Sequence, residues 1–315
     1  MKAVVTDYQF PSVDNERRVF AAAGVQMASA QCRTAPEVIA VARDAEALLV
    51  HWAPITQEVL QALPRCKIIV RYGIGLDNID LAAAAARGIA VCNVPDYASG
   101  EVADHTLGLA LALARQIPLI DARLRRGEWK ITADHPLPSF RDMTFVTLGY
   151  GKIARETLHR ARAFGFRLAA HDPFVDEATL RADGVSPVGR EEAIATADIL
   201  SLHLPLSAAT RHLLNADSLR RMMRTAIVIN SSRGGLIDTL ALARALEAGE
   251  IFAAGLDVFE EEPLPPKHPI RRAPRTLLTS HLAWYSNASA PRLQQMAAEE
   301  IVRGLRGEPL RSRVN

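Results

Sequence analysis

The sequence predicts an α/β chain folded as two parallel-sheet domains with a cleft between them, and three observations predict it. At 315 residues the chain exceeds what a single core usually holds and fits two domains of ordinary size. Short, nearly continuous apolar runs alternate with helical stretches, the pattern of strands buried on both faces of a parallel sheet. Finally, residues 144–154 (TFVTLGYGKIA) read as a strand, a tight glycine turn and the start of a helix.

The first hundred residues repeat a unit of strand and helix. Strands are expected at 3–5, 26–28, 47–50, 67–71 and 89–92, with helices at 35–43 and 81–86 between them. Next comes a helix over 99–115, acidic in its first turn and apolar almost all round, which implies burial between masses of protein. It is expected to stop near Pro118. A second helix over 119–126 leads through Gly127-Glu128-Trp129 to a loop holding Pro136 and Pro138, the expected crossing into the second domain.

From residue 144 the rhythm resumes, with strands at 145–148, 167–171, 199–202, 226–230, 254–258 and 276–279. In the helix over 152–164, Ile153, Thr157, Leu158 and Ala161 share a face. Several strands end in polar residues: Asp172, His203, Ser231, Asp257 and Ser280-His281. The carboxyl ends of strands in open parallel sheets line the ligand crevice, so these residues converge by topology. A last helix over 290–306 carries Leu293, Met296, Ala297, Ile301 and Leu305 on one stripe. Periodicity leaves open whether it caps the second domain or returns to the first.

The strand, turn and helix at 144–154 have the layout of a dinucleotide site. There the glycines Gly149 and Gly151 bring backbone against a pyrophosphate, helix N–H groups hold it, and Asp172 at the end of the next strand takes the adenosine ribose. Ala154 stands at the third glycine position. The acids of His171-Asp172-Pro173-Phe174-Val175-Asp176 favour NAD over NADP, because a 2'-phosphate needs cations there.

Composition excludes other classes. With 23% charged and 49% hydrophobic residues and a formal net charge of +2, the chain has the balance of a soluble globular protein and no nucleic-acid footprint. The basic stretches Arg123-Leu124-Arg125-Arg126 and Arg271-Arg272 read as solvated faces. Cys32, Cys66 and Cys92 form no CxxC and no zinc spacing, so neither a disulfide framework nor a metal is expected. Met1-Lys2 runs directly into a strand rather than a leader, and the alanine-rich pieces at 81–86 and 107–114 are too short to cross a membrane. A cytoplasmic protein with no membrane partner is expected.

Redox chemistry on a small hydroxy acid needs a cation for the carboxylate, a base for the hydroxyl proton and a nicotinamide close to the carbon. Arg233, in the segment NSSRGG, offers a guanidinium for bidentate contact; its bland alternative is a surface salt bridge. His281 titrates in a useful range or is a satisfied structural histidine. Glu262 belongs to the acidic run Glu260-Glu261-Glu262, and chemistry alone does not rank the three.

The chain resembles the D-isomer-specific 2-hydroxyacid dehydrogenases over nearly its whole length. The resemblance rests on RYGIGLDNID at 71–80, LGYGKIAR at 148–155, HLPL at 203–206, NSSRGG at 230–235, GLDVFEEEP at 255–263 and HLAW at 281–284, in family order. Two Rossmann-like/flavodoxin-like domains with an interdomain cleft are then implied. The substrate-binding domain would be discontinuous, 1–98 with 285–315, and the NAD-binding domain would span 99–284. The resemblance makes Arg233, Glu262 and His281 the catalytic set, with Glu262 chosen because it directly precedes proline. The substrate carboxylate would meet Arg71 and the backbone of Tyr72, Gly73, Ile74 and Gly75, with Trp284 as an apolar wall. Thr106, Gly149, Tyr150, Gly151, Lys152, Ile153, Asp172, His203, Pro205, Ser231 and Asp257 would hold NAD, Asp257 at the nicotinamide amide. A homodimer formed through the cofactor domains is implied, acting on a small 2-keto or 2-hydroxy acid. The segment CNVPDY at 92–97, with Arg71 and Trp284, is similar to the branch that includes the C-terminal-binding-protein corepressors. An NAD-sensing interaction protein is therefore the alternative to an enzyme. Ala154 and Ser280 depart from the family pattern, and neither removes a chemical group.

Overall fold

A computed structural model describes residues 1–133 and 135–315. The chain forms two compact units, Met1–Ala98 with Tyr285–Asn315, and Ser99–Trp284.

The first unit is built on five strands, β1 (Lys2–Val5), β2 (Gln26–Ser29), β3 (Ala47–Val50), β4 (Ile68–Arg71) and β5 (Ala90–Cys92). They pair in parallel in the order β2-β1-β3-β4-β5. All four residues of β3 and of β4 are buried, which is why these strands read as unbroken apolar runs rather than alternating ones. Helices α1 (Asp14–Ala22), α2 (Ala35–Ala42), α3 (Gln57–Gln61) and α4 (Leu81–Ala86) connect them. Polar caps set their starts: Glu37 Oε2 accepts from Thr34 N at 3.0 Å before α2, and Asp80 Oδ1 accepts from Ala83 N at 2.9 Å in α4.

The second unit opens with α5 (Ser99–Ala114) and α6 (Ile117–Arg125). Pro118 therefore does not end the helix before it but sits in the first turn of α6, where its missing N–H costs nothing. Seven parallel strands follow: β6 (Thr144–Leu148), β7 (Arg167–His171), β8 (Ser186–Pro187), β9 (Ile199–Leu202), β10 (Ile227–Asn230), β11 (Ala253–Leu256) and β12 (Thr276–Leu278). Their order is β12-β11-β10-β9-β6-β7-β8, so the winding reverses between β6 and β9. In a doubly wound sheet that reversal opens the ligand crevice at the carboxyl ends of the two strands.

Helices α7 (Lys152–Ala163), α8 (Glu177–Ala182), α9 (Arg190–Thr196), α10 (Ala216–Arg221) and α11 (Thr239–Ala248) cover this sheet. The buried face of α7 is Ala154, Thr157, Leu158 and Ala161; Ile153 lies at its margin, and Ala154 replaces it. The last helix, α12 (Ser289–Arg306), packs against α1, β3 and β4 of the first unit. Its buried face is partly polar, because Gln294 Nε2 donates to Ser12 O at 2.8 Å and to Glu16 Oε2 at 3.0 Å. Met296 is only half-buried.

Among the described residues, no helix is long and apolar enough to cross a membrane, and no group of three or more His, Cys, Asp or Glu is placed to hold a metal. Cys32, Cys66 and Cys92 are buried thiols.

Candidate active site

Gly149 directly follows β6, and its N–H donates to His171 O at 2.8 Å. Its φ is 98°, and a Cβ would stand 2.4 Å from the carbonyl oxygen of His203, the residue directly after β9. Only glycine brings the two strand ends this close, and the closeness leaves the first turn of α7 open to an anion. Gly151 and Lys152 begin that turn. Asp172, after β7, is fixed by Tyr150 N on Oδ2 at 2.8 Å and Phe174 N on Oδ1 at 2.9 Å. This glycine cradle and fixed carboxylate fit a dinucleotide.

The Tyr150 side chain turns away from the cradle. Its hydroxyl donates to Asp183 Oδ2 at 2.7 Å, and the Arg155 guanidinium lies 4.8 Å over its ring. Burial and the hydrogen bond to Asp183 push this phenol up to about 12. On the other side of the reversal, His203 Nε2 meets Ser201 Oγ at 2.9 Å, and burial pushes its pKa down to about 4. His203 is thus a neutral ring at physiological pH. Thr106 and Ser231 come together through a 2.6 Å hydroxyl contact, while Pro205 is exposed on the loop after His203 and its carbonyl accepts from Thr210 Oγ1 at 2.7 Å.

The strands β10, β11 and β12 carry the chemical groups on their following loops. After β10, Asn230 Nδ2 donates to Arg233 O at 2.8 Å, and Ser232 Oγ donates to Leu204 O at 2.6 Å. After β11, Asp257 is 1% exposed, and its carboxylate accepts from Thr279 Oγ1 at 2.5 Å, Leu282 N at 3.0 Å and Ala283 N at 2.9 Å. Its carbonyl accepts from His281 N at 2.7 Å. Asp257 is therefore the anchor of the histidine loop, a role that explains its burial. Trp284 Nε1 donates to His281 O at 3.0 Å and closes the same turn. Gripped on both sides, His281 holds a left-handed backbone, φ 54°.

Glu262 Oε1 accepts from Phe259 N at 2.9 Å, and Oε2 lies 2.7 Å from His281 Nδ1. Burial works to raise the Glu262 pKa, but the hydrogen bond and charge of His281, the Phe259 N–H and the Arg233 charge outweigh it and hold the carboxyl below its ordinary value. The geometry also ranks the acidic run. Glu260 is taken up by Thr239 N at 2.9 Å and His212 Nε2 at 2.5 Å, so it secures a loop; Glu262 meets the histidine.

In the first unit, Arg71 ends β4 and donates from Nε to His51 O at 3.3 Å. Tyr72 points into the core, where its hydroxyl donates to Glu16 Oε1 at 2.7 Å. Gly73 O accepts from Val94 N at 2.9 Å and Ile74 O from Asn93 Nδ2 at 2.9 Å, while Ile74 and Gly75 keep part of their surface exposed. The sequence reading missed Asp7, Thr279 and Asp183, whose partners are distant in sequence.

A glycine cradle at a sheet reversal, a fixed ribose-ready carboxylate and a Glu–His pair on neighbouring strand ends define an NAD-dependent oxidoreductase. The chain belongs to the D-isomer specific 2-hydroxyacid dehydrogenases: residues 107–283 match that family's NAD binding domain. It is 38% identical over 259 residues to a glyoxylate reductase of Korarchaeum cryptofilum, covering 81% of this chain and 78% of that one. It is 37% identical over 284 residues to a D-3-phosphoglycerate dehydrogenase of Methanocaldococcus jannaschii, covering 90% of this chain and 54% of that one. The chain thus spans about half the length of its phosphoglycerate dehydrogenase relatives. Among solved structures it is similar to the TT0316 protein from Thermus thermophilus, with a TM-score of 0.89, 32% identity and 100% of both chains covered. A glyoxylate reductase from Paecilomyes thermophila aligns with a TM-score of 0.88 and 28% identity over 99% of this chain and 98% of that one. These relatives support an enzyme rather than an interaction scaffold. The chain is an NAD-dependent dehydrogenase that interconverts a D-2-hydroxy acid and a 2-keto acid.

Proposed function

We propose that Arg233, Glu262 and His281 reduce a small 2-keto acid, with glyoxylate and hydroxypyruvate the first substrates to try. The 2.7 Å contact between Glu262 Oε2 and His281 Nδ1 carries this reading, because a carboxylate on Nδ1 fixes the tautomer and orientation of the ring that is to exchange a proton through Nε2. Bound NADH supplies the hydride that C2 receives. His281 gives its Nε2 proton to the ketone oxygen as negative charge develops there, and takes it back in the oxidation. Arg233 clamps the carboxylate and polarises the carbonyl. Arg71 and the backbone of residues 72–75 bind the carboxylate, Trp284 walls the pocket, and the cradle at 149–153 with Thr106, Asp172, His203, Pro205 and Ser231 serves the cofactor, while Asp257, expected at the nicotinamide amide, holds the histidine loop instead. The Met1–Ala98 and Tyr285–Asn315 unit is then the substrate domain, and Ser99–Trp284 the NAD domain.

NAD is preferred over NADP because Asp172 and Asp176 repel a 2'-phosphate. A homodimer forms through the second unit, where Ile117 and Leu124 of α6 and the following Trp129 and Ile131 are 56%, 51%, 81% and 93% exposed. Sedimentation as a monomer would count against this dimer. The site of action is the cytoplasm, and neither nucleic acid nor membrane is a partner.

The test is NADH oxidation across glyoxylate, hydroxypyruvate, pyruvate, longer 2-keto acids and phosphohydroxypyruvate, repeated with Arg233→Ala for the best substrate. Turnover that collapses in the variant is expected. Turnover that survives loss of Arg233 removes the carboxylate clamp.

A further inference from the structure

One buried acid of the first unit takes no part in the chemistry above. Glu16, the third residue of α1, is fully buried, and both of its oxygens accept a hydrogen bond. Tyr72 Oη donates to Oε1 at 2.7 Å, and Gln294 Nε2, from α12, donates to Oε2 at 3.0 Å. The Gln294 amide is fixed in turn, since its Oε1 accepts from Asn15 Nδ2 at 3.1 Å and its Nε2 also donates to Ser12 O at 2.8 Å. Burial pushes the Glu16 pKa up, against the pull of the Tyr72 hydroxyl, its own N–H and the Gln294 amide. Apolar side chains of the same shape would join α1 to α12 without desolvating a carboxylate, so adhesion alone does not account for the group. What a satisfied buried network adds is a fixed geometry.

The geometry it fixes is that of Tyr72. This residue directly follows β4 and is 1% exposed; its N–H donates to Val50 O at 2.8 Å, and the Phe10 ring meets its ring edge-on with centroids 5.2 Å apart. Held at backbone, ring and hydroxyl, Tyr72 is the last core residue before the chain turns outward, with φ 122° at Gly73 and Ile74 38% exposed. Val94 N and Asn93 Nδ2 hold the loop by its carbonyls from the β5 side, and Tyr72 holds it from the core. A shift of the hydroxyl passes through the rigid ring to the Tyr72 backbone and on to the N–H groups that follow.

We propose that Glu16 is a positioning residue for the substrate carboxylate: through the Tyr72 hydroxyl it sets the backbone of residues 73–75 that receives it. This rests on the reading that the loop after β4 binds the carboxylate.

The test reads KM for glyoxylate, kcat and the Kd for NADH in the full-length protein. Tyr72→Phe removes one hydroxyl and leaves the ring. It is expected to raise KM about tenfold, with kcat within about twofold and the NADH Kd unchanged, because the loop grips the carboxylate alike in ground and transition states. Glu16→Gln should do the same, since one amide cannot accept from both Tyr72 and Gln294. Combining Glu16→Gln with Gln294→Glu restores an acceptor for Tyr72 and a donor–acceptor pair between the helices, and should return most of the lost KM. Asn15→Ala loosens Gln294 without touching Tyr72, so it is expected to lower the melting temperature and leave KM in place. An unchanged KM in Tyr72→Phe overturns the positioning role, as does a KM that rises as far in Asn15→Ala; if Glu16→Gln does not fold, these two variants decide. Gly73→Ala separates this from failure of the underlying reading, because its Cβ would stand 2.0 Å from Arg71 Nη1 at a φ that side chains rarely adopt. If KM for glyoxylate stays unchanged in that variant, the loop does not meet the carboxylate, whatever Glu16 does.

Discussion

Gly234 and Phe259 meet backbone to backbone, so closely that a Cβ on Gly234 would stand 1.9 Å from the Phe259 carbonyl carbon and 2.0 Å from its oxygen. The contact joins the loop carrying Arg233 to the loop carrying Glu262. Neither neighbour is a flexible side chain that could swing aside.

Gly234→Ala is therefore expected to push the two loops apart and to lower kcat/KM by about 10²-fold, the cost of misplacing reacting groups by roughly an ångström. Binding of NADH, followed by its fluorescence, should change little. Wild-type kcat/KM in this variant would show that the two loops need not touch.

His281→Gln is expected to lower turnover by ~10² to 10⁴ while leaving NADH affinity nearly intact. The amide keeps a hydrogen bond but exchanges no proton. Single-turnover reduction at saturating NADH is the measurement, and a rate near that of the wild type would reject proton transfer by His281.

Asp172→Ser should weaken NADH binding and narrow the preference over NADPH, since the carboxylate both accepts from the ribose and repels a phosphate. Titration of both nucleotides against both proteins checks this. The loss of Asp172 also frees Tyr150 N and Phe174 N, so some weakening of both nucleotides is expected alongside the change in preference.

His203 gives the fold an acid-sensitive point. Its pKa falls from an ordinary 6.5 to about 4 in the folded chain, because burial disfavours the charged ring. The unfolded chain therefore binds the proton first: stability is undiminished above 6.5 and is lost as pH falls from there through about 4. At roughly 1.4 kcal/mol per pH unit, the loss is on the order of 3 kcal/mol at most. Glu262, with its lowered pKa, adds a loss in more acid solution, beginning below its ordinary 4.5. His203→Gln should flatten the melting temperature between pH 6.5 and 4 relative to the wild type. An equal slope in both proteins would remove His203 from the account.

Most of the parallel strands were legible because burial on both faces makes them continuous apolar runs, and the glycine turn because its geometry admits few residues; the two-residue edge strand β8 was missed, being too short to form a run. The short helices α1, α3 and α8 to α10 were not, since a few polar-rich turns carry little periodicity, and α11 was missed although most of its residues are apolar. Their capping residues were in plain view, however: Asp176, Asn215 and Asp238 each accept an N–H of the helix that follows. Asp257 shows a different limit. Its place at a strand end marks a functional loop, but only the fold reveals that its carboxylate is spent on Thr279, Leu282 and Ala283. The choice among Glu260, Glu261 and Glu262 likewise depends on which loop each one reaches, and sequence spacing does not encode that.

The first unit is assembled from both ends of the chain, with α12 lying on α1, β3 and β4 and the Asn315 side chain bonded to Val91 N and Ile89 O. During synthesis its five strands leave the ribosome early but lack the helix that covers them until α12 has been made. The second unit, continuous in sequence, has all its strands by then and can fold first. Of the two units, the one whose strands are made first is thus completed last, and those apolar strands are the segment a chaperone would have to shield in the interval.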